Sequence, residues 1–217
     1  MQHQYTSALE LLPRGVAICL DLGAGDGRHR SAIEDAGWRW VGLDVVPNTE
    51  LTLVADGCRL PLTDDSIQVV FANQVLEHLP DPLVALQEAY RALRPGGHLV
   101  GSVSFLEPWH DSYLSFSHWA IQEMMSRTGF GLLELRPGAS AFVTIGSALC
   151  PDSNLADVLG GTAGRLTMAA LKWLGGAYFA LRFGKRSDQW NLYETFLEKA
   201  PLRFAGHIMF LAQKPDP

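Results

Sequence analysis

Four short apolar runs early in the chain each end in a polar residue, and this pattern limits the fold more than any other feature. Val16 to Leu20 ends in Asp21, and Trp38 to Leu43 ends in Asp44. Leu51 to Val54 ends in Ala55-Asp56, and Ile67 to Ala72 in Asn73-Gln74. Short apolar runs bounded by glycine, proline and aspartate read as buried strands. Helical patterns stand between and after them. Gly27 to Ala36 stops at Gly37, and Pro82 to Leu93 places Leu83, Leu86, Ala89, Tyr90 and Leu93 on one face. Arg94-Pro95-Gly96-Gly97 then turns the chain into a fifth strand, His98 to Val103. A helix over about 117–127 stops at Gly129, and a sixth strand is Gly131 to Leu135. Strands alternating with helices in this way make an α/β protein with a mostly parallel, doubly wound sheet. A short helix is expected over Tyr5 to Leu12 and a last strand over Leu202 to Ala212.

In a doubly wound sheet, ligands sit beyond the carboxyl ends of the strands. Asp21, Asp44, Asp56 and Asn73 all fall there. One such residue alone reads as a turn former or helix cap; four at one edge point to a site. After Asp21 the chain runs Leu22-Gly23-Ala24-Gly25-Asp26-Gly27-Arg28 into a helix start. A strand, a glycine turn and a helix start bring backbone N–H groups and a positive dipole end to one point, which suits an anionic or polar ligand group. The glycines allow positive φ and a close approach to the main chain.

Three glycine-rich patterns compete for this turn. A phosphate-binding P-loop needs lysine followed by serine or threonine, and none of Lys172, Lys185, Lys199 and Lys214 is so followed. A dinucleotide fingerprint needs a third glycine at position 28, which is arginine here, although Asp44 fits the acidic residue expected on the ribose. The residues beyond the turn favour the third. Asp21-Leu22-Gly23-Ala24-Gly25-Asp26-Gly27, Asp44 in VGLDV, Asp56-Gly57, Asn73-Gln74-Val75-Leu76-Glu77-His78-Leu79 and Leu93-Arg94-Pro95-Gly96-Gly97 follow one another over residues 16–104. In this order they resemble the class I S-adenosylmethionine-dependent methyltransferases, of the type 11 group that includes quinone-biosynthesis and polysaccharide-associated members.

The resemblance implies a Rossmann-like, seven-stranded sheet with an antiparallel last strand and S-adenosylmethionine as cofactor. It implies that Asp44 accepts the ribose hydroxyls, Val45 packs on the adenine and Asp56, with Gly57, meets its amine. Asp21, Gly23, Ala24, Gly25 and Gly27 would hold the methionine part. Asn73 and Gln74, mainly through backbone, would help to hold its ammonium, and His78 would serve the cofactor site or the helix start. No metal is expected, since no His or Asp pattern such as HExxH is present.

On the acceptor side, His110 with Asp111 in PWHDSYLSFS is the candidate base or substrate ligand, because a neighbouring carboxylate can orient an imidazole and raise its basicity. His78 and His118 are lesser candidates. The loop loosely resembles one in methyltransferases of polysaccharide biosynthesis. After the sixth strand, about sixty residues (137–201) form an expected helical insertion within a single 1–217 domain. Leu166, Ala170, Trp173, Ala177 and Leu181 share a helical face interrupted by Gly175-Gly176, and Arg165, Lys172, Arg182, Lys185 and Arg186 make the stretch basic. Three readings stand: a lid over the acceptor, a packing or homodimer element, and, less favoured, a peripheral membrane contact through 165–186.

Composition narrows the partners. A net charge of −6 over 217 residues argues against nucleic acid. Three scattered cysteines give no disulfide or metal framework. With no signal-peptide pattern in MQHQYTSALELLPRG and no apolar run of about 20 residues, a cytoplasmic setting is expected. The expected activity is methyl transfer to a small-molecule or glycan-type acceptor at oxygen; C-methylation of a quinone or lipid-like acceptor and a non-catalytic cofactor-binding role are the alternatives.

Overall fold

The computed structural model describes residues 8–107, 111–149, 155–185 and 187–217, with the side chains of 146–149 and 155–160 outside the description. The chain divides into two compact units. One comprises Met1–Ser104, Asp111–Arg136 and Ile208–Pro217, and the other Phe105–His110 and Pro137–His207.

The first unit is a seven-stranded sheet flanked by helices. Its elements begin with a 3-10 turn, Ala8–Leu11, followed by β1 (Ile18–Leu22), α1 (Arg30–Asp35), β2 (Arg39–Asp44), β3 (Leu53–Val54) and β4 (Ile67–Asn73). Then come α2 (Pro82–Ala92), β5 (Leu93–Ser104), α3 (His118–Thr128) and β6 (Gly131–Pro137), and β7 (His207–Gln213) closes the chain. The strand order is β3-β2-β1-β4-β5-β7-β6. β1 pairs in parallel with β2 and β4, β2 with β3 and β4 with β5. β7 runs the other way: Gly96 N–H donates to Lys214 O, whereas Phe105 N–H, nine residues later, donates to Gly206 O. The expected architecture, antiparallel last strand included, is therefore present.

Burial explains why the apolar runs became central strands. Cys19, Leu20, Asp21 and Leu22 of β1 are all buried, as are Val69 to Ala72 of β4, because helices cover both faces. Phe71, Leu20 and Phe210 are among the largest fully buried side chains. The helices start where capping chemistry allows. Asp81 accepts from Val84 N–H ahead of Pro82, and Ser117 Oγ accepts from Ala120 N–H. Gly129 ends α3 in the left-handed conformation.

Several boundaries differ from the sequence expectation. The expected helix start at Gly27 lies in the turn, and α1 begins at Arg30, because three consecutive alternating glycines hold the chain in turns. β3 is only two residues long. β5 starts at Leu93 and runs through the Pro95-Gly96-Gly97 stretch as a bulged strand, with register slipping between Ile67 and Val69. The expected last strand from Leu202 begins instead at His207. The preceding helix continues to Arg203 with Pro201 inside its last turn, where only one hydrogen bond is given up.

The second unit is helical: α4 (Ala141–Leu149), α5 (Leu155–Ala170), a π-turn (Leu171–Gly175), α6 (Gly176–Phe183) and α7 (Asp188–Arg203). Gly175-Gly176 does not break the helix; the backbone widens into the π-turn and continues. Tyr193 of α7 fits against the bare Gly175, where a Cβ would lie 2.9 Å from the ring. Its hydroxyl donates to the carbonyls of Leu171 and Lys172, the second at 3.1 Å, in the part of the helix where the regular ladder is displaced. Phe179 stacks on Tyr193 with ring centroids 4.8 Å apart. This aromatic contact joins α6 to α7.

Candidate functional site

The turn between β1 and α1 is built on three left-handed glycines, with φ of 69° at Gly23, 53° at Gly25 and 74° at Gly27. At Gly23 a side chain is excluded twice, by the backbone and by Val75, whose Cγ2 would lie 2.6 Å from an added Cβ. At Gly25 nothing lies within 4 Å of the Cβ position. Gly25 is therefore the open edge over which a ligand can reach the main chain, and Gly23 is the packed one.

Asp44, the last residue of β2, closes this turn. Its Oδ2 accepts from Gly25 N–H at 2.9 Å and its Oδ1 from Val46 N–H at 3.0 Å. Ala24 N–H donates to Leu43 O at 3.0 Å, and Asn48 Nδ2 donates to Gly25 O at 2.6 Å. An ionised carboxylate offers about four acceptor positions, so the two backbone bonds leave one on each oxygen for a pair of hydroxyls. Val45, beside it, is 66% exposed.

Asp21 lies at the other side of the turn and is buried. It accepts from Trp40 Nε1 at 2.9 Å. Burial pushes its pKa up to about 6; the Trp40 bond opposes the rise and the negative charge of Asp44 adds to it. Trp40 is itself fixed, since its ring fills the space over Gly42, where a Cβ would lie 2.2 Å away. The Arg30 guanidinium stands 5.2 Å from its centroid. A buried carboxyl that ionises at a cost gains most from an arriving cation.

The third and fourth strand ends complete the edge. Asp56 is exposed and its Oδ1 accepts from Cys58 N–H at 2.8 Å, forming an Asx turn. Gly57 is buried, and an added Cβ would lie 3.0 Å from Leu22 Cδ1, so the loop closes directly on β1. Arg91 of α2 anchors the following loop through Leu62 O at 2.8 Å, Leu60 O at 3.2 Å and Asp64 at 2.7 Å, and also pairs with Glu88. At the end of β4, Gln74 has φ of 57°, uncommon for a residue with a side chain. It is held there by Gln74 N–H to Ser102 O and Gln74 Nε2 to Ser102 Oγ, both 3.0 Å, while Ser102 Oγ donates to Asn73 Oδ1 at 2.9 Å. The strand end is thus turned and its polar groups fixed.

Past Asn73, a 3-10 turn (Leu76–His78) carries buried Glu77 and exposed His78. Glu77 Oε1 accepts from Ser104 N–H at 2.9 Å, and its carbonyl accepts from Tyr113 N–H at 2.8 Å and Leu114 N–H at 3.3 Å. It ties the end of β5 to the segment that follows Asp111. His110 lies outside the described residues, and Asp111 is exposed. Among the described residues, no group of three or more His, Cys, Asp or Glu stands together in a way that could hold a metal.

Asp21, Asp44, Asp56, Asn73 and the glycines thus lie along one edge, and direct contacts join Gly25 to Asp44 and Gly23 to the segment after Asn73. Sequence reading missed Trp40, Asn48, Ser102 and Glu77. Trp40 carried a signal, since a tryptophan two residues from Gly42 in a buried strand needs a partner for its N–H. Ser102 and Asn48 carried none, because their roles depend on strand pairing and loop closure.

Residues 20–101 match a family model described as a methyltransferase domain. This stretch of the chain is similar to a methyltransferase domain. The match runs from β1 into β5 and includes Asp21, Gly23, Gly25, Gly27, Asp44, Asp56 and Asn73. An uncharacterised methyltransferase of Mycobacterium leprae is 30% identical over 115 residues, 47% of this chain and 43% of the relative. The chain thus spans about half the length of the curated relatives it matches. Among solved structures, the Burkholderia thailandensis 1,6-didemethyltoxoflavin-N1-methyltransferase, with bound 1,6-didemethyltoxoflavin and S-adenosylhomocysteine, superposes with a TM-score of 0.60 at 15% identity. That match covers 96% of this chain and 77% of the other. A [4+2]-cyclase, SpnF, superposes with a TM-score of 0.59 at 20% identity, covering 97% and 79%. The fold therefore also carries other chemistry, and activity has to be argued from the site.

Proposed function

We propose that this chain is an S-adenosylmethionine-dependent methyltransferase that acts on a small-molecule or glycan-type acceptor at oxygen. The observation that carries the reading is the bond from Gly25 N–H to Asp44 Oδ2. It fixes a carboxylate, with acceptor capacity to spare, beside a glycine turn that has an open face. S-adenosylmethionine fits that arrangement: a Cβ at Gly25 would intrude on the open face, and Asp44 keeps an acceptor position on each oxygen. When bound, the cofactor supplies an electrophilic methyl group on a sulfonium.

In this reading Asp44 accepts the two ribose hydroxyls with charge-assisted strength. Exposed Val45 covers one face of the adenine, and Asp56, held by its Asx turn beside Gly57, accepts from the adenine amine. Buried Asp21 and the turned backbone at Asn73-Gln74 receive the ammonium, and Ala24 and Gly27 shape the wall between them. His78 borders the same edge. His110, with Asp111 beside it in the chain, is the proposed base that takes the proton of an oxygen acceptor. Positioning that oxygen about 3 Å from the methyl carbon supplies much of the rate.

Calorimetry with S-adenosylhomocysteine tests the donor side. Asp44→Ala removes charge-assisted bonds worth about 1.5–3 kcal/mol each and frees Gly25 N–H, so affinity should fall at least about a hundredfold. Full-strength binding by that variant would sink the ribose assignment. Binding of NADH without binding of S-adenosylhomocysteine would overturn the whole reading. A second reading, C-methylation of a quinone or lipid-like acceptor, is favoured by a cavity of about 370 Å³ within the helical unit. Phe142, Met168, Pro201 and Phe204 line it, with Arg165 in its wall.

A further inference from the structure

Leu166, Trp173, Leu174, Tyr178 and Leu181 follow one another at intervals of seven, one, four and three residues, which keeps them on one side of the continuous helix from α5 through the π-turn to α6. They do not pack into the helical unit. Trp173 is 75% exposed, Leu174 72% and Leu181 89%. α7 lies against a different side of the same helix, where Gly175 and Phe179 meet Tyr193. An apolar face this long and this bare needs an occupant.

Charge says which one. Residues 158–187 contain Arg165, Lys172, Arg182, Lys185 and Arg186 and no acidic residue. The whole chain carries −6, so removing these five positive charges leaves −11 on the rest. Arg165, Lys172 and Arg182 each stand one residue from a member of the apolar face, about 100° round the helix, and their long stems can carry the charge to its border. A second copy docking by the same face would oppose five positive charges to five. An anionic surface would not. Among the described residues no helix is long and apolar enough to cross a membrane, so a helix with this face lies along a surface.

We infer that the α5–α6 helix docks on an anionic phospholipid bilayer, with Leu166, Trp173, Leu174, Tyr178 and Leu181 in the headgroup–acyl boundary and the basic residues among the phosphates. An exposed apolar face with tryptophan and tyrosine, flanked by lysine and arginine on a helix too polar to insert, is the chemistry of an interfacial helix. The inference is independent of the methyl-transfer reading.

Flotation of the full chain with vesicles tests it. The protein should float with phosphatidylcholine vesicles containing about a third phosphatidylglycerol, not with phosphatidylcholine alone, and should be released at high salt. Arg165→Gln, Lys172→Gln, Arg182→Gln and Lys185→Gln together should weaken partition by at least about a hundredfold, since each basic residue near such a surface contributes roughly fivefold. Trp173→Ser, Leu174→Ser and Leu181→Ser together keep the charge and should also abolish flotation, with the thermal melt and S-adenosylhomocysteine titration of the parent retained. No flotation, equal flotation on neutral vesicles, or a triple-serine variant that floats undiminished would overturn the inference. So would a vesicle-indifferent dimer that the triple-serine variant converts to monomer. Because cofactor titration is read on the same samples, failure here is distinguishable from failure of the donor-site assignment.

Discussion

Asp21→Asn should make the ligand-free protein more stable at neutral pH while weakening its hold on the donor. The carboxyl of Asp21 ionises near pH 6 in the folded chain because burial disfavours its charged form, whereas an unfolded aspartate ionises near pH 4. Between those values the folded state holds a proton that the unfolded state has lost, so this group's contribution to stability falls as pH rises from about 4 and levels off above about 6. The gap of about two pH units is worth about 3 kcal/mol at roughly 1.4 kcal/mol per unit. An asparagine has no such slope, and its amide oxygen can still accept from Trp40. Urea unfolding at pH 4 and pH 8 measures this directly: relative to wild type, the variant should gain up to about 3 kcal/mol on going from pH 4 to pH 8. S-adenosylhomocysteine affinity in wild type should rise about tenfold per pH unit below pH 6 and plateau above, and in Asp21→Asn should be weaker and flat. Stability curves for the two proteins that run parallel between pH 4 and pH 8 would refute the reasoning, since an exposed carboxylate is what they would describe.

Gly23→Ala should cost roughly 1–3 kcal/mol, because it adds left-handed strain and a 2.6 Å approach to Val75, whereas Gly25→Ala carries the strain alone and should cost about 1 kcal/mol; thermal melts of the pair give the contrast. S-adenosylhomocysteine titration should nevertheless find Gly25→Ala impaired, since its Cβ enters the open face. Tyr193→Phe removes the hydroxyl that caps the π-turn and should destabilise by about 1 kcal/mol with helical content unchanged by circular dichroism. Arg91→Lys cannot hold Leu60 O, Leu62 O, Asp64 and Glu88 at once, and hydrogen exchange should quicken in residues 58–66 with a stability loss of about 1 kcal/mol.

The sheet and the donor edge were legible because both follow from local signals. β1 and β4 are apolar runs buried on both faces, and parallel pairing with β2 puts the polar residues at their carboxyl ends side by side whatever the loop lengths. The glycine turn was legible for a similar reason, since positive φ at three alternating positions admits few other residues. What was hidden depends on distant pairing. Trp40 meets Asp21 only because β1 and β2 are in the register that sets Asp21 opposite Gly42. Ser102 reaches Asn73 only across the β4–β5 pair. The helical unit was the least legible part. Gly175-Gly176 promised a break, yet Tyr193 uses the missing side chain to pack and the backbone carries on through a π-turn. Pro201 promised a boundary, yet it stands inside the last turn of α7.

The strand-four end has a consequence for how this protein can change. Gln74 sits in a conformation that costs about 1 kcal/mol or more for a residue with a side chain, and its grip is Ser102, which also holds Asn73. Substituting Ser102 alone removes the hydroxyl that links both side chains, leaving Gln74 only its backbone bond to the residue-102 carbonyl, and substituting Gln74 alone leaves a hydroxyl without its donor. The three positions therefore behave as one heritable unit: single steps away from it are penalised more than their sum predicts, and a replacement has to arrive as a matched set. Across a library randomised at 73, 74 and 102, survivors should be correlated combinations, with few independent choices at each site.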